Sequence, residues 1–487
     1  MKKIENIIFS HRSMVDDFGR VFFYEDRVFR LINNEKKEYC IELLNSDLFK
    51  ILIKEKYIPF TRISEEFNSE GSLVLEHNKV VETLQHEWSF LMYKDAALKV
   101  FELNELCNKH GYELKDAHTL NVLFDNVTPL YIDFGSISKK SSNKRDWFAY
   151  VEYLNSFYLP LLFWSQNKHF IVRKLLESNF YKLYTIPDQL IEETGLLKIV
   201  GVNFKKYSYK FRNFKLFQAN EKMSVFAFIS RSINYLYKII FKRNSFVLGY
   251  NLNTLKDYFS QNELKDNLLK LNSPNLSSQW EGYHNNFYNS IDEVNYSSRF
   301  KRLLEIINQY SDIKSIIDLA GNEGYFSILL SNNIKLERII LADYDENAID
   351  KAFYNIKKLK IQNITPILLN FMFTLDQLGT AKRLRSDLVV SLAVTHHLIL
   401  TGNYSLATIF ERLSLFSNKY VMVEFMPLGL WSLDHKIEHE LPQYYTLEWF
   451  RDEFENYFEL ILEEKLEENR IVFFGKLKQN VNNEKFN

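Results

Sequence analysis

The chain has 487 residues, more than one compact core usually holds, and we expect about two or three domains. Hydrophobic residues make up 46% and charged residues 25%, which excludes a disordered chain. With 61 Lys and Arg against 62 Asp and Glu, the overall charge gives no information about partners. No run of 18 apolar residues and no signal-peptide pattern occurs, and Cys40 and Cys107 lie in apolar or helical contexts. We therefore expect a cytoplasmic protein with buried, reduced thiols.

The N-terminal part alternates apolar and polar residues over about its first 60 positions, a pattern typical of β-hairpins. The segment "GRVFFYEDRVFRLI" (19–32) predicts two strands with a turn at Glu25 and Asp26. We therefore expect a β-rich lobe over residues 1–93.

A helical period follows in residues 87–112. The runs "NVLF" and "LYIDF" then predict two short strands around a turn at residues 126–129, and residues 146–200 return to a helical pattern rich in aromatic side chains. Together these patterns predict a helical lobe over residues 94–250. Asn, Ser and Tyr are frequent in residues 251–298, which predicts a linker and a cap segment.

From residue 299 to 478 strand patterns alternate with helical ones, which predicts a doubly wound, mostly parallel α/β sheet. The last two strand-like runs lie only three residues apart, a gap that permits a hairpin and excludes a crossover helix, so we expect an antiparallel edge strand. The predicted strands are 315–320, 338–343, 365–370, 387–394, 420–426, 458–466 and 470–477.

The segment "IIDLAGNEGYFS" marks the first candidate site. A strand ends at Asp318, and a loop of small residues leads into a helix, which is where a doubly wound sheet binds its cofactor. Asp343 ends the next strand and is placed to accept hydrogen bonds from ribose hydroxyls. A dinucleotide loop is not expected, because Ala320, Asn322 and Tyr325 stand where G-x-G-x-x-G has glycines.

This segment resembles motif I of class I S-adenosylmethionine (SAM)-dependent methyltransferases, D-L-G-x-G-x-G, with Ala320 and Asn322 in place of two glycines. The resemblance implies a SAM-binding Rossmann-like domain. It places the loop along the methionine moiety, Asp343 at the ribose, and Asn370, which ends the third strand, near the adenine. The residues expected to bind the cofactor are Asp318, Ala320, Gly321, Asn322, Gly324, Asp343 and Asn370.

The segment "AVTHHLIL" follows the fourth strand, at the edge of the sheet where reactive groups belong. A neutral imidazole of His396 or His397 could accept the proton of a hydroxyl or amine that attacks a methyl group. The alternative is that these histidines only cap or pack the next helix. We expect no metal there, because no third ligand is evident, and Glu424 is a second candidate for the acceptor pocket.

A second motif lies in the N-terminal half. Asp116 and Asn121 are five residues apart, and Asp133 opens the triplet Asp-Phe-Gly twelve residues later. This spacing resembles the catalytic and metal-binding loops of protein-kinase-like folds. The resemblance implies that Asp116 is a catalytic carboxylate, that Asn121 and Asp133 are metal ligands, and that Mg-ATP is a second cofactor.

The kinase-like pattern has departures. Leu114 replaces the usual histidine, no glycine-rich loop precedes the strands, and Arg30 is the nearest substitute for the nucleotide-binding lysine, although arginine is not equivalent to lysine. Two interpretations therefore stay open: the module transfers phosphate, or it is a pseudokinase that binds and presents substrate.

Four segments occur in this order along the chain: "EWSFLMYKDAALKVFELNELCNKHGYELKDAHTLNVLF", "SSQWEGYHNNFY", "DLAGNEGYFS" and "SLAVTHHLIL". They resemble a bacterial family of two-module methyltransferases, some nodulation-protein-like and some with cell-surface polysaccharide functions. The resemblance implies methyl transfer to a hydroxyl or phosphate of a glycan or lipid-linked glycan. A pseudokinase scaffold fused to a methyltransferase that acts on RNA or protein is the alternative.

A basic, aromatic stretch runs from Gly201 to Arg243, with ten Lys and Arg, one acid and eleven Phe and Tyr. It is either a solvated basic face or a contact for an anionic surface, such as a membrane or a glycan. Segment 223–243 would lie in the membrane interface, which would place the protein at the inner face of the membrane. Nucleic acid is not expected, because the chain as a whole is not basic.

Overall fold

The chain forms two compact units in the computed structural model. The first comprises Met1–Tyr112, Leu120–Ser138 and Leu276–Asn487, and the second comprises Glu113–Thr119 and Lys139–Asn275. The domain boundaries predicted at residues 93, 250 and 298 stay a prediction. The structure describes residues 7–10, 13, 16–25, 27–67, 71–140, 147–177, 261–274, 297–374, 379–430 and 440–479.

The first unit begins with a four-stranded antiparallel sheet in the order β1-β2-β4-β3. The hairpin of β1 and β2 confirms the prediction for residues 19–32, and Glu25 turns it with a positive φ of 45°. The expectation of hairpins over the first 60 residues is wrong where two helices follow β2, because buried apolar residues recur there at helical spacing. The elements are β1 Gly19–Tyr24, β2 Arg27–Ile32, α1 Lys37–Leu44, α2 Asp47–Lys54, β3 Thr61–Ile63 and β4 Leu73–His77.

A long helix and a small hairpin follow, as predicted. Helix α3 begins after Ser89, and its buried face includes Phe90, Ala97 and Leu103. Strands β6 and β7 pair antiparallel, and Asn126 takes the left-handed turn position with a φ of 59°. The elements are α3 Phe90–Lys109, β5 Tyr112–Leu114, β6 Val122–Asp125, β7 Thr128–Tyr131 and β8 Ile137–Lys139.

Most of the described part of the second unit, residues 147–177 and 261–274, is helical. A π-helical turn, Leu154–Tyr158, joins α4 to α5 just before Pro160, whose ring has no N–H to donate. Helix α7 lies within the predicted linker of residues 251–298, and the basic stretch 201–243 and its segment 223–243 lie outside the described residues. None of the described helices is long and apolar enough to cross a bilayer. The helices are α4 Tyr150–Tyr153, α5 Leu159–Ser165, α6 His169–Glu177 and α7 Gln261–Lys270.

The C-terminal half of the first unit is a seven-stranded sheet in the order β11-β10-β9-β12-β13-β15-β14, which confirms the doubly wound α/β prediction. Strands β9 to β13 run parallel to one another, whereas β15 runs antiparallel to both β13 and β14. The antiparallel strand is thus next to the edge, and β14 forms the edge itself. The strands are β9 Ser315–Leu319, β10 Arg338–Asp343, β11 Ile364–Leu368, β12 Ser386–Ser391, β13 Ser417–Phe425, β14 Phe458–Glu467 and β15 Arg470–Leu477.

In the described part of the chain, seven helices accompany this sheet. The strands are apolar on both faces, as in β10, where five of six residues are buried, because helices cover both sides of a parallel sheet. The helices are α8 Ser298–Asn308, α9 Tyr325–Asn333, α10 Glu346–Lys358, α11 Thr380–Leu384, α12 Thr395–Leu400, α13 Leu406–Phe416 and α14 Leu447–Tyr457.

The two sheets of the first unit are joined by polar contacts that are buried from water. The fully buried Glu87, just before α3, forms an ion pair with Arg383 on α11, with Nη1 of Arg383 3.3 Å from Oε2 of Glu87. The carboxylate of Asp350 on α10 accepts a hydrogen bond of 2.9 Å from the backbone N–H of Leu91, in the first turn of α3. Val81 adds an apolar contact to the core of the seven-stranded sheet.

Candidate cofactor and acceptor site

The loop between β9 and α9 follows a path that glycine normally takes. Ala320, Asn322 and Gly324 have φ angles of 61°, 52° and 83°. Non-glycine residues rarely adopt this left-handed region. The two residues that replace motif I glycines therefore keep the backbone conformation that glycines would provide.

The same loop packs tightly against the sheet. A Cβ atom on Gly321 would lie 2.4 Å from Cδ1 of Leu341 and 2.8 Å from Oδ2 of Asp318. A Cβ atom on Gly324 would lie 2.5 Å from Cδ2 of Leu341. These two positions require glycine because the loop backbone lies directly on β10.

Asp343, at the end of β10, holds the loop through its carboxylate. Oδ2 accepts the backbone N–H of Asn322 at 2.8 Å, and Oδ1 accepts that of Asp345 at 2.9 Å. Burial raises the pKa of Asp343 to about 6, against the lowering effect of these two hydrogen bonds. The carboxylate thus lies beside the cofactor loop, as predicted for a ribose-binding residue.

Asp318 has a different position from the other predicted cofactor residues. Its side chain is buried, and Oδ2 accepts a hydrogen bond of 2.7 Å from the hydroxyl of Ser327 in α9. Burial raises the pKa of Asp318 to about 6, and the Ser327 hydrogen bond opposes this shift. The buried carboxylate of Asp318 therefore links β9 to α9 and is not exposed to a ligand.

Two exposed aromatic rings, Tyr344 and Phe373, lie close in sequence to the residues predicted to bind ribose and adenine, and they were not predicted as site residues. Asn370 is exposed, and its Oδ1 accepts the backbone N–H of Met372 at 3.1 Å. Tyr344, next to Asp343, and Phe373, three residues after Asn370, are 63% and 74% exposed. In the sequence, the signal was an aromatic residue within three positions after each of the polar residues Asp343 and Asn370.

The two histidines begin helix α12, after β12. Their ring centroids are 4.0 Å apart; His396 is buried and His397 is half-buried. Burial lowers the pKa of His396 to about 3, with further lowering by His397 and Arg470, and burial also lowers the pKa of His397. Among the described residues, Nδ1 of His396 has no hydrogen-bond partner. Both imidazoles are thus neutral near pH 7, and the pKa of about 3 makes His396 a weak proton acceptor.

Glu424, near the end of β13, has a structural position that differs from the predicted role in the acceptor pocket. Its carboxylate is fully buried and accepts two hydrogen bonds of 2.7 Å from Arg299 and one of 3.0 Å from Arg470. Burial raises the pKa of Glu424, but the two arginines outweigh this effect and hold it below its usual range. This group ties α8 and β15 to β13.

The predicted nucleotide residues are partly brought together. Nη1 of Arg30 on β2 lies 3.7 Å from Oδ1 of Asp133 and donates a hydrogen bond of 2.8 Å to Asp16. Asn121 donates to the hydroxyl of Tyr131 at 3.3 Å. A guanidinium is therefore the cation beside Asp133, where a kinase has a metal ion.

Asp116 belongs to the second unit, whereas Asn121 and Asp133 belong to the first. The described part of the chain contains no group of three or more His, Cys, Asp or Glu residues that could hold a metal ion. The metal-ligand roles of Asn121 and Asp133 and the catalytic role of Asp116 stay a prediction.

The chain is similar to known proteins in sequence and in structure. No family model matches the chain. The chain is 24% identical over 435 residues to "Nodulation protein NoeA" of Rhizobium meliloti (strain 1021), covering 85% of this chain and 84% of that protein. Among solved structures, N-methyltransferase NodS from Bradyrhizobium japonicum WM9 is similar, with 12% identity, 37% and 95% coverage and a TM-score of 0.29. Magnesium protoporphyrin IX methyltransferase (ChlM) from Synechocystis PCC 6803 with bound SAM has 12% identity, 37% and 78% coverage and a TM-score of 0.28.

Proposed function

We propose that this chain is a SAM-dependent methyltransferase. The observation that carries the proposal is the left-handed loop from Ala320 to Gly324, whose backbone is held by the carboxylate of Asp343. An acid at the end of the second strand of a doubly wound sheet suits a ribose, and small loop residues allow close approach of a ligand.

The residues of this edge fit the cofactor in chemistry. When bound, SAM supplies an electrophilic methyl group on a sulfonium. Asp343 would accept hydrogen bonds from the ribose hydroxyls, and the exposed rings of Tyr344 and Phe373 offer apolar faces for an adenine. Asn370 would add a polar contact at the end of the third strand.

We assign the acceptor proton to the histidine pair. A hydroxyl or amine that attacks a methyl group must lose a proton, and a neutral imidazole can accept it. His396 and His397 stand at the carboxyl end of β12, the neighbour of β9 in the sheet. Removal of either ring tests which of the two accepts the proton.

We propose a glycan or lipid-linked glycan as the acceptor, with its hydroxyl or phosphate as the methylated group. Support comes from the family resemblance and from the histidine pair, because a hydroxyl acceptor needs a base that takes up its proton. A methyltransferase that acts on RNA or protein is the alternative.

Calorimetric titration with SAM tests the cofactor assignment, and transfer of tritium from methyl-labelled SAM to cell-envelope glycans, total RNA or total protein tests the acceptor. We expect SAM binding by the wild type and label in the glycan fraction. That label should be lost in the one variant, His396→Ala or His397→Ala, that lacks the proton-accepting ring. Absence of SAM binding would contradict the function, and label in RNA or protein would contradict the glycan acceptor.

For the N-terminal module we propose substrate binding without phosphate transfer. Support comes from Arg30, which places a fixed positive charge beside Asp133, where a kinase needs a metal ion. An active kinase with Mg-ATP as cofactor is the alternative.

We also propose that the protein is cytoplasmic and peripheral to the inner face of the membrane, on the basis of the basic segment 223–243. Replacement of Lys238, Lys242 and Arg243 by Gln should lower binding to anionic vesicles, because each cation near such a surface contributes about 1 kcal/mol. Co-sedimentation at low and high salt measures it. Wild-type protein that stays in the supernatant at low salt would exclude the membrane contact.

A further inference from the structure

Two aromatic side chains form an exposed pair at the start of helix α14. The rings of Tyr444 and Trp449 meet edge to face, with centroids 5.2 Å apart. Tyr444 is 54% exposed, and Trp449 is half-buried because part of it packs against the core of the sheet. The pair therefore presents apolar ring surface to solvent from an anchored position.

The pair is fixed by the residues between its members. Tyr445 packs its ring 5.8 Å from Trp449 and 5.1 Å from Phe425, and its hydroxyl donates to the backbone oxygen of Met426 at 3.1 Å. Thr446 caps α14 by accepting the N–H of Trp449 at 3.2 Å. A rigid platform of this kind loses little conformational entropy when it binds a ligand.

A short chain of contacts connects this platform to the histidine pair. Phe425 is the last residue of β13, and its neighbour Glu424 accepts a backbone hydrogen bond of 2.7 Å from the hydroxyl of Thr395. Thr395 directly precedes His396. The aromatic pair thus belongs to the same edge of the sheet as the proposed base.

The chain segment that carries the pair, residues 440–457, is acidic. From residue 440 to 457 the chain has no lysine and one arginine, Arg451, whose guanidinium is paired with Glu463 at 2.6 Å. Nucleic acid and anionic lipid both require cations at the contact. This edge therefore favours an uncharged ligand over a phosphate-rich one. The acids of the stretch are Glu440, Glu448, Asp452, Glu453 and Glu455.

We propose that Tyr444 and Trp449 form a stacking subsite for a sugar ring of the acceptor. The apolar C–H face of a pyranose matches an exposed aromatic ring, and the acids of the same chain segment are acceptors that suit sugar hydroxyls. The proposal rests on the proposed methyltransferase function and narrows its acceptor to a carbohydrate with an uncharged residue at this subsite.

The test is calorimetric titration of the full chain with three neutral or weakly basic probes, cellotetraose, maltotetraose and chitosan tetramer, in the presence of S-adenosylhomocysteine. Ring stacking tolerates different sugars, so we expect at least one probe to bind. Tyr444→Ala should weaken that binding by about 10-fold, which corresponds to about 1.4 kcal/mol for the lost aromatic contact. Trp449→Phe, which keeps the apolar packing, should weaken it less.

Tyr354→Ala is the matched control, because Tyr354 is equally exposed but lies in the middle of α10. It should leave sugar binding unchanged, and Tyr444→Ala should leave binding of S-adenosylhomocysteine unchanged. No binding of any probe, or equal binding by Tyr444→Ala, would overturn the subsite. Tyr444-dependent binding of a thymidine 12-mer would assign the platform to nucleic acid. Failure of S-adenosylhomocysteine to bind the wild type would contradict the proposed function itself.

Discussion

At the scale of single residues, the cofactor loop is defined by backbone conformation more than by residue type. Ala320 and Asn322 adopt left-handed angles that glycine adopts more easily, and Asn322 donates its backbone N–H to Asp343. Strained positions of this kind persist where surrounding contacts hold them, and they concentrate at functional sites. The carboxylate of Asp343 is such a contact.

The first prediction concerns the affinity for SAM. Asp343→Ala should weaken SAM binding by about 1–3 kcal/mol, because the ribose hydroxyls lose a charged acceptor and two backbone N–H groups lose theirs. Calorimetric titration measures the change. Asp312→Asn, at an exposed position, is the control, and an unchanged affinity in Asp343→Ala would remove the ribose assignment.

The second prediction concerns pH. Because the pKa of Asp343 is raised to about 6, its carboxylate takes up a proton as the pH falls through about 6 and loses its acceptor charge. Affinity for S-adenosylhomocysteine should therefore decrease from pH 7 to pH 5, and Asp343→Asn should bind weakly with a flatter dependence on pH. A wild-type affinity that is constant over this interval would show that Asp343 does not contact the ligand.

At the scale of elements, the N-terminal segment before α3 is part of the packing of the seven-stranded sheet. Glu87 is fully buried and forms an ion pair with Arg383 on α11. Asp350 of α10 accepts the N–H of Leu91, which satisfies one of the free donors at the N-terminus of α3. The two sheets are therefore coupled through helices α3, α10 and α11.

The third prediction follows from this coupling. Glu87→Gln should lower the free energy of unfolding by about 3–5 kcal/mol, because it leaves the guanidinium of Arg383 buried without its counter-charge. Asp95→Asn is the matched control. Asp95 on α3 pairs with the exposed Lys357 on α10, and loss of this exposed pair should lower the free energy of unfolding by less than about 1 kcal/mol. Urea denaturation compares the two. Equal effects would show that the Glu87 pair is not buried in solution.

At the scale of the whole molecule, the DFG-like loop packs against the N-terminal part of the first unit. Phe134 of this loop is buried against Phe18 and Phe49, and a Cβ atom on Gly135 would lie 2.6 Å from Cβ of Phe18. The loop is therefore packed as a folded element, with Arg30 as the cation beside Asp133.

The fourth prediction distinguishes the two proposals for this module. If it binds substrate without phosphate transfer, millimolar Mg-ATP should leave the melting temperature unchanged, because only a ligand of the native state stabilises it. Thermal denaturation with and without Mg-ATP measures this. A rise in melting temperature that disappears in Asp133→Asn would instead support a nucleotide site.

Local patterns in the sequence determined the parallel sheet. Strand β10 coincides with the predicted residues 338–343, and the hairpin of β14 and β15 follows from a short gap between two strand patterns. Such patterns are local, because the spacing of apolar residues and the length of a connection are properties of neighbouring positions. The candidate cofactor loop could be located for the same reason, since it must follow the first strand of the sheet.

Only the tertiary structure decided which distant groups meet. Glu87 and Arg383 are 296 positions apart, and Glu424 became an arginine-bound structural group although its place at a strand end favoured a reactive one. Tyr444 and Trp449 lie near the end of β13 because Tyr445, between them in the sequence, packs against Phe425. Charge pairing and exposure depend on which surfaces come into contact, and no local pattern in a single sequence contains that information.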